Sequence, residues 1–495
     1  MLLCDYSCIK MYFCRTIILI SCKIKLSIIL FSCNYNLLII LISCNMRRKI
    51  YDKLLNWKEK HAGETALLIE GARRVGKSYI VEEFAKREYE SYILIDFNVA
   101  GKDIRDLFDN YIDNLDTFFM YLSSYTNIKL HTRNSLIIFD EVQLCPRARA
   151  SIKYLVKDGR YDYIETGSLV SIRQNTEGIL LPSEEEAITL YPMDFEEFLW
   201  ACGNELLMDF IRSKFEAQQE MGQDMHRKAM DLFRQYLIVG GMPQAVQKYL
   251  DTHDFEETDR VKRQILNLYR NSIVQYAGNY STKVTSVFDE LPSQLQKHEK
   301  RFRLSDISKD ARMRNYESAF LWLADAQIIN ICYNTTEPSI GLGLKRDSMT
   351  LKCYMADTGL LISHSFDERG IVGEDVYKKI LKDKLETNNG MIIENIVAQM
   401  LRASGHRLFF FSNTDRDDRN SRMEIDFLIA KNNVSSRHNI SPIEVKSSAR
   451  YTLSSLTKCI NRYGTFLSTP YVIHTKDLAV EDGIVYLPLY MVPLL

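Results

Sequence analysis

The stretch LLIEGARRVGKSYIVEEFAK, residues 67 to 86, constrains the fold more than any other part of the chain. Gly71 is followed by four residues and then by Gly76, Lys77 and Ser78, which is the spacing of a phosphate-binding loop. An apolar run precedes the loop and an amphipathic run follows it, as such a loop requires. The stretch therefore predicts a strand, a phosphate-binding turn and a helix in succession.

The chemistry of this loop explains its residue types. Glycines let the backbone bend and approach phosphate, so that successive N–H groups and the following helix terminus face the anion. Lys77 would reach the β- and γ-phosphates of ATP, and the Ser78 hydroxyl would bind Mg²⁺. The predicted ATP-binding residues of the loop are Gly71, Ala72, Arg73, Arg74, Val75, Gly76, Lys77, Ser78 and Tyr79.

Two later strand-like runs supply groups that an ATP site needs. In SLIIFDEVQ, Asp140 would hold Mg²⁺ through water, and Glu141 would orient the attacking water as catalytic base. The run YIETGS ends with Thr166 and Ser168, which are placed to sense the γ-phosphate. A plain turn at the end of a strand explains these two residues equally well.

The first 45 residues differ in composition from the rest of the chain. They hold six of the eleven cysteines and contain no Ala, Gly, Val, Glu or Pro. Lys23, Lys25, Asn34 and Asn36 interrupt the apolar runs, so no uniform stretch of about 20 apolar residues could span a membrane. We interpret residues 1–45 as AT-rich upstream sequence translated in error, with translation starting at Met46; a genuine membrane anchor is the alternative.

Charge and cysteine content limit the cellular locations and the partners that are expected for the chain. The formal net charge is -1, so any surface that binds nucleic acid would have to be local. The five cysteines after residue 45 show no metal-ligand spacing, which is typical of free thiols in a reducing cytoplasm. These residues are Cys145, Cys202, Cys332, Cys353 and Cys459. We therefore expect a cytoplasmic protein, without membrane contact unless residues 1–45 are genuine.

The order of apolar runs predicts several domains. From 46 to 200, short apolar runs alternate with helix-like stretches, which indicates an α/β domain with a parallel sheet. Residues 201–260 read as a helical lid, with a turn at GGMP, residues 240 to 243. Residues 366–495 combine a helix-like start, GMIIENIVAQMLRASG, with several strands, and predict a small α/β domain.

The segment 261–365 has the order of a winged helix-turn-helix. Two helix patterns in LSDISKDARMRNYESAFLWLADA are joined near Met313 and Arg314, and the strand QIINICYN follows directly. The second pattern, NYESAFLWLADA, contains no Lys or Arg. A helical packing module that never meets DNA is therefore the alternative interpretation.

The runs MEIDFLIA and ISPIEVKS, which begin at residues 423 and 440, predict an antiparallel hairpin. A loop centred near residue 435 would place Asp426 opposite Glu444, with Lys446 on the same face. Opposed carboxylates repel, and a Mg²⁺ ion would remove that repulsion. Lys446 could then polarise a water for attack on a phosphodiester. A solvated hairpin in which Lys446 neutralises the acids is the alternative.

These motifs together resemble a known family. GARRVGKS, IIFDEVQ, ETGS, LYPMDFEEFL and YLIVGGMPQAV are similar to bacterial and archaeal AAA-type ATPases with a carboxy-terminal nuclease fold. The resemblance implies an ATPase core, a helical lid, a winged helix and a restriction-endonuclease-like domain. It also implies that Glu394, on the preceding helix, joins Asp426 and Glu444 as a metal ligand.

One departure from the family leaves a role unassigned. Many members have a Gly-Arg pair shortly before the LYPMDFEEFL equivalent, where this chain has LLPSEEEAITL. The source of an activating arginine is therefore open, because Arg73 and Arg74 are better placed for the lid or a neighbouring subunit than for catalysis.

Three functional hypotheses follow from the sequence. In the first, an ATP- and Mg²⁺-dependent ATPase uses its nucleotide state to control a nuclease-like domain that acts on nucleic acid, with DNA favoured over RNA. In the second, the chain is a nucleotide-dependent switch that binds nucleic acid or protein without cutting. In the third, the ATPase acts on a partner protein, and the nuclease fold is a scaffold. A second copy of the chain is a further expected partner.

Overall fold

The computed structural model describes residues 27–33, 36–42, 46–168, 183–297, 300–339, 341–366, 374–382, 389–413, 422–431, 438–448 and 450–495. The chain divides into two compact units, Met1–Arg47 and Arg48–Leu495. In the first unit, strands β1 (Ser27–Cys33) and β2 (Asn36–Ile42) form an antiparallel hairpin. Among the described residues, no helix has both the length and the apolar content needed to cross a membrane.

The second unit starts with a parallel sheet and its helices. Their bounds are α1 Ile50–Lys60, β3 Ala66–Gly71, α2 Lys77–Glu88, β4 Ser91–Asp96, α3 Lys102–Asn110, α4 Leu115–Thr126, β5 Ser135–Asp140, α5 Pro146–Asp158, β6 Asp162–Gly167 and β7 Glu185–Leu190. The strand order is β4-β5-β6-β3-β7, and every pair is parallel. This sheet confirms the predicted α/β fold of a P-loop NTPase.

Burial explains why these strands read as apolar runs. All six residues of β5 and of β6 are buried, as in a parallel sheet covered by helices. One core cluster joins Ile137 and Phe139 of β5 to Phe108 of α3, Phe118 of α4 and Ile152 of α5. Since parallel strands present their carboxyl ends at one edge, the loops after β3, β5 and β6 lie together there.

Helices fill the middle of the chain. Their bounds are α6 Phe195–Ala201, α7 Glu205–Ala217, α8 Gln223–Val239, α9 Pro243–Thr252, α10 Phe255–Tyr276 and α11 Ser281–Gln296. The predicted turn at GGMP lies between α8 and α9, and Pro243 is the first residue of α9. Gly240 has a positive φ of 80°, a conformation that glycine adopts without strain.

The two helices expected around Met313 are not both present. The first pattern, LSDISKDA, forms only a 3-10 turn at Leu304–Asp306, whereas Met313 begins helix α12 (Met313–Asp325). In this eight-residue pattern Leu304 is buried, Ile307 and Ala311 are only half-buried and the other residues are polar, so tertiary contacts do not support a full helix there. Strands β8 (Ile329–Thr335) and β9 (Arg346–Met355) follow as an antiparallel pair.

These two strands belong to a large mixed sheet. The other strands of this sheet are β10 Phe409–Asn413, β11 Met423–Ala430, β12 Ile440–Val445, β13 Tyr471–His474, β14 Ala479–Glu481 and β15 Ile484–Pro488. The helices in this part of the chain are α13 Thr358–Ser365, α14 Glu374–Leu381, α15 Asn389–Ala403 and α16 Ser454–Tyr463. The strand order is β14-β15-β13-β12-β11-β10-β8-β9. Because β8 pairs with β10, the sheet contains strands from both sides of the domain boundary predicted at residue 365.

Candidate functional site

The phosphate-binding loop connects β3 to α2, as the sequence predicts. A side chain at Gly71 would place its Cβ 2.8 Å from the carbonyl oxygen of Leu190, so only glycine fits there. Gly76 precedes α2 with a φ of 96°, again a conformation suited to glycine. Arg74 also has a positive φ, 67°, and its side chain is exposed. Ala72 and Val75 are buried, and Tyr79 is 48% exposed.

Lys77 and Ser78 point their polar groups at the carboxyl edge of the sheet. Lys77 is buried, and its Nζ donates to the carbonyl oxygens of Gly71 at 3.0 Å and Ala72 at 3.1 Å. The Ser78 hydroxyl donates to Asp140 Oδ1 at 2.7 Å. The two groups predicted to bind Mg²⁺ are therefore adjacent, although they lie 62 positions apart in sequence.

The strand-end residues complete this cluster. Thr166 donates its hydroxyl to the same Oδ1 atom of Asp140 and lies 3.4 Å from the backbone nitrogen of Glu141. Glu141 has a left-handed backbone, with φ at 53°, and its Oε2 accepts from Gln143 Nε2. Such a conformation at a glutamate beside a phosphate loop is a form of local strain found at functional sites.

The electrostatics of the cluster come from burial opposed by neighbouring charges. Burial lowers the pKa of Lys77, and Glu141 and Asp140 partly offset that effect. Burial raises the pKa of Asp140, and hydrogen bonds from Thr166 and Ser78 partly offset it. A bound Mg²⁺ and triphosphate would supply the charges that keep Asp140 ionised and Lys77 protonated. The residues present therefore fit ATP with Mg²⁺.

The Arg73 side chain extends from the loop to helix α10. Its guanidinium donates to Ser272 Oγ at 2.9 Å, and the Tyr276 ring lies 5.3 Å from it. The Tyr269 hydroxyl donates to the Arg73 carbonyl at 3.3 Å. Ser168 lines a small cavity beside these groups. Arg73 therefore ties the phosphate loop to helix α10, whose residues from 261 onward lie in the segment predicted to be a winged helix.

Two contacts of this site are not predicted by the sequence. Arg48, buried just before α1, donates to the carbonyls of Val75 at 3.1 Å and Tyr191 at 2.7 Å. Asp357, the N-cap of α13, accepts from the Gly241 backbone N–H at 2.5 Å. No motif spacing signals either contact, because each joins segments more than 25 positions apart.

The carboxy-terminal hairpin has the predicted register. Phe427 pairs with Ile443 and Ala430 with Ile440, which is the alignment that would bring Asp426 opposite Glu444. Asp426 nevertheless turns its Oδ2 to accept from the backbone N–H of Val445 at 2.8 Å. Lys446 Nζ donates to Glu444 Oε1 at 2.6 Å.

Two lysines outside the predicted set hold the carboxylates. Lys352 of β9 is 1% exposed, and its Nζ lies 2.9 Å from Glu424, 3.5 Å from Glu394 and 3.7 Å from Asp426. Lys300 pairs with the other oxygen of Glu394. Lys352 is not among the site residues predicted from the sequence, where its only signal is a lysine among the apolar residues of LKCYM, at the end of β9.

Burial and neighbouring charged side chains set the pKa values of the carboxylates in this cluster. Burial alone would raise the pKa of Glu394, but Lys300 and Lys352 outweigh it and lower the pKa to about 2. Burial and Asp426 raise the pKa of Glu444 to about 8, and Lys446 only partly offsets this. The described residues contain no group of three or more acidic, His or Cys side chains arranged to hold a metal ion.

Fold and site together define a class. A parallel sheet with strand order β4-β5-β6-β3-β7, a glycine loop before α2 and a Ser78–Asp140 pair are the features of a P-loop NTPase fold. Residues 63–199 match the family model described as AAA domain. Residues 230–368 and 389–492 match two domains of unknown function, DUF8612 and DUF4143.

Solved structures are similar only at low identity. A Drosophila ORC structure bound to DNA is 14% identical, covers 69% of this chain and 95% of its own, and has a TM-score of 0.27. The Aeropyrum pernix ORC1 protein in complex with DNA is 9% identical and covers 68% of this chain and 93% of its own, with a TM-score of 0.25.

A third structure is a STAND ATPase with a tetratricopeptide-repeat sensor from Pyrococcus horikoshii. It is 11% identical, covers 72% of this chain and 48% of its own, and has a TM-score of 0.26. Similarity at these TM-scores does not establish a shared function. No curated protein matches the chain.

Proposed function

We propose that this chain is a nucleotide-dependent switch that binds and hydrolyses ATP with Mg²⁺ and passes the nucleotide state to its carboxy-terminal half. The contact of Arg73 with helix α10 carries this proposal, because it links the phosphate-binding loop directly to the middle of the chain. The proposal corresponds to the second hypothesis drawn from the sequence.

The chain's own residues have distinct roles at the ATP site. Lys77 and the loop N–H groups would bind the phosphates. Ser78, together with Asp140 acting through water, would hold Mg²⁺, which would supply charge neutralisation. Thr166 fixes the orientation of Asp140, and Glu141 orients the attacking water and takes its proton. Gln143 in turn holds Glu141.

A second set of contacts supports transmission beyond α10. A Cβ on Gly76 would lie 3.6 Å from Pro243, so the phosphate loop lies beside the start of α9. The GGMP turn before α9 binds Asp357, and the next residue, Thr358, donates to Gln399 of α15 at 2.7 Å. Helix α15 also carries Glu394 of the carboxy-terminal cluster. A series of neighbouring groups therefore runs from the loop to that cluster.

Hydrogen exchange of the full chain, with and without ATP and Mg²⁺, tests the switch. We expect ATP to slow exchange in the phosphate loop, α10 and α15. Lys77→Ala should abolish all three effects. Arg73→Ala should keep the effect at the loop and abolish it in α10. ATP protection confined to the loop in the parent protein would refute transmission while leaving ATP binding intact.

Metal-dependent cutting of nucleic acid is a second candidate function. In its favour, Glu444 Oε2 is buried without a hydrogen-bond partner among the described residues, and a cation there would satisfy it. Against it, Lys300 and Lys352 already neutralise Glu394 and Asp426. This balance is why we favour the switch.

Cleavage assays separate the two functions. Linear and supercoiled DNA and RNA should be incubated with the parent chain and Mg²⁺ or Mn²⁺, with and without ATP. The switch predicts no cleavage under any of these conditions. Cleavage that disappears in the Asp426→Asn, Lys446→Met double variant, with ATP hydrolysis retained, would instead establish the nuclease.

A further inference from the structure

A cavity of about 470 Å³ lies apart from the phosphate-binding loop. Its walls come from the Tyr191–Pro192 segment after β7, helix α12, strands β8 and β9, and the end of α15. None of its lining residues belongs to the loop at residues 71–79. Small-molecule sites in proteins have volumes of about 300–1,000 Å³, so the cavity is large enough for a nucleotide.

Three arginines give the cavity a positive charge. Arg346, Arg402 and Arg407 line it, and none forms an ion pair with a carboxylate in the part of the chain that the structure describes. Asp194 also lines the cavity, but Lys49 pairs with it. Since the whole chain carries a net charge of -1, this is a local concentration of positive charge.

Aromatic groups accompany the arginines. The Arg346 guanidinium lies 4.6 Å from the centre of the Tyr333 ring, and Arg402 lies 5.8 Å from that of Tyr191. Tyr333 and Arg346 both line the cavity.

We propose that this cavity is a second nucleotide site, which binds the phosphate on Arg402 and Arg407 and stacks the base against Tyr333 and Arg346. Arginine suits phosphate because its planar fork of donors matches phosphate oxygens, and an aromatic ring paired with arginine suits a planar base. The ligand is a nucleotide unit, either free or part of an unpaired strand. This proposal does not depend on the switch.

The test uses the full chain with Lys77→Ala, so that binding at the ATP site does not interfere. The two probes are AMP, measured by titration calorimetry, and a single-stranded oligodeoxynucleotide with a 5′-hydroxyl end, measured by fluorescence anisotropy. We expect at least one probe to bind. Binding of AMP indicates a free nucleotide as ligand, and binding of the oligonucleotide alone indicates a strand.

Matched variants locate the binding. Arg402→Gln with Arg407→Gln should weaken binding about 100-fold, at roughly tenfold for each charge-assisted hydrogen-bonding group removed. The control, Arg227→Gln with Arg260→Gln, removes two arginines that do not line the cavity and should change affinity less than twofold. Both pairs should keep the ATP hydrolysis rate of the parent when Lys77 is restored, which shows that they fold.

Three results would overturn the proposal. The first is that neither probe binds the Lys77→Ala chain. The second is that the cavity variant and the control variant weaken binding equally. The third is that an abasic oligonucleotide binds as tightly as the normal one. The last result would remove the role assigned to Tyr333 and Arg346, because stacking of each base typically contributes about 1–3 kcal/mol.

Discussion

Replacing Lys352 by methionine removes the cation at the centre of the carboxy-terminal cluster. Lys352 lies within 4 Å of three carboxylates and is almost completely buried. Methionine keeps the apolar stem but leaves Asp426 and Glu424 without this partner, whereas Glu394 retains Lys300. We therefore expect the variant to fold with a weakened cluster.

The burial of the cluster sets the magnitude of this effect. Removing one partner of a buried ion pair destabilises a protein by about 3–5 kcal/mol, because the remaining charge stays buried. The same substitution at Lys345, which is 40% exposed and pairs with Glu337, should cost less than about 1 kcal/mol. Lys352 lies within strand β9 and Lys345 lies just before it, so Lys345→Met is a matched control.

Hydrogen exchange measures the difference without requiring two-state unfolding of a chain this large. Lys352→Met should accelerate exchange in β9, β11 and α15 by about two to three and a half orders of magnitude, since 1.4 kcal/mol is tenfold. Adding Glu424→Gln should restore part of the protection, because it removes the carboxylate nearest to Lys352, which would otherwise retain only Arg301 as a cationic partner. Equal acceleration by Lys345→Met, or none by Lys352→Met, would refute the reasoning.

Three further predictions concern other parts of the chain. Gly241→Ala would force a Cβ against the Met193 carbonyl oxygen and should lower the free energy of opening of α8 and α9 by several kcal/mol, measured by hydrogen exchange. Gly101→Ala, with no atom within 4 Å of the added Cβ, should change the opening free energy of α3 by less than about 1 kcal/mol. Burial lowers the pKa of Lys262 from 10.5 to about 8, so the unfolded chain binds more protons than the folded chain between these pH values. As the pH rises over this range, the parent should therefore gain about 3 kcal/mol of stability relative to Lys262→Met. Equal dependence of stability on pH in the two proteins would contradict this. Asp140→Asn should abolish Mg²⁺-dependent ATP hydrolysis in a phosphate-release assay, and an unchanged rate would exclude its role at the metal.

The sequence by itself determined the local elements of the ATP site. Glycine and lysine spacing defined the phosphate loop, and the apolar run ending in Asp140 defined the strand beside it, because both depend on neighbouring residues only. The loop centred near residue 435 likewise predicted the register of the β11–β12 hairpin, and period-two alternation predicted which residues share a face. The roles assigned to the individual site residues remain predictions.

Only the tertiary structure decided which side chains meet across distant segments. Lys352 reaches Glu394, Glu424 and Asp426 because β9 enters the same sheet as β11, and no sequence period records that arrangement. The link from Arg73 to α10 is equally long-range, with 199 positions between Arg73 and Ser272. Charge neutralisation inside a fold depends on three-dimensional packing, which is why the acids looked available for metal in the sequence and are held by lysines in the structure.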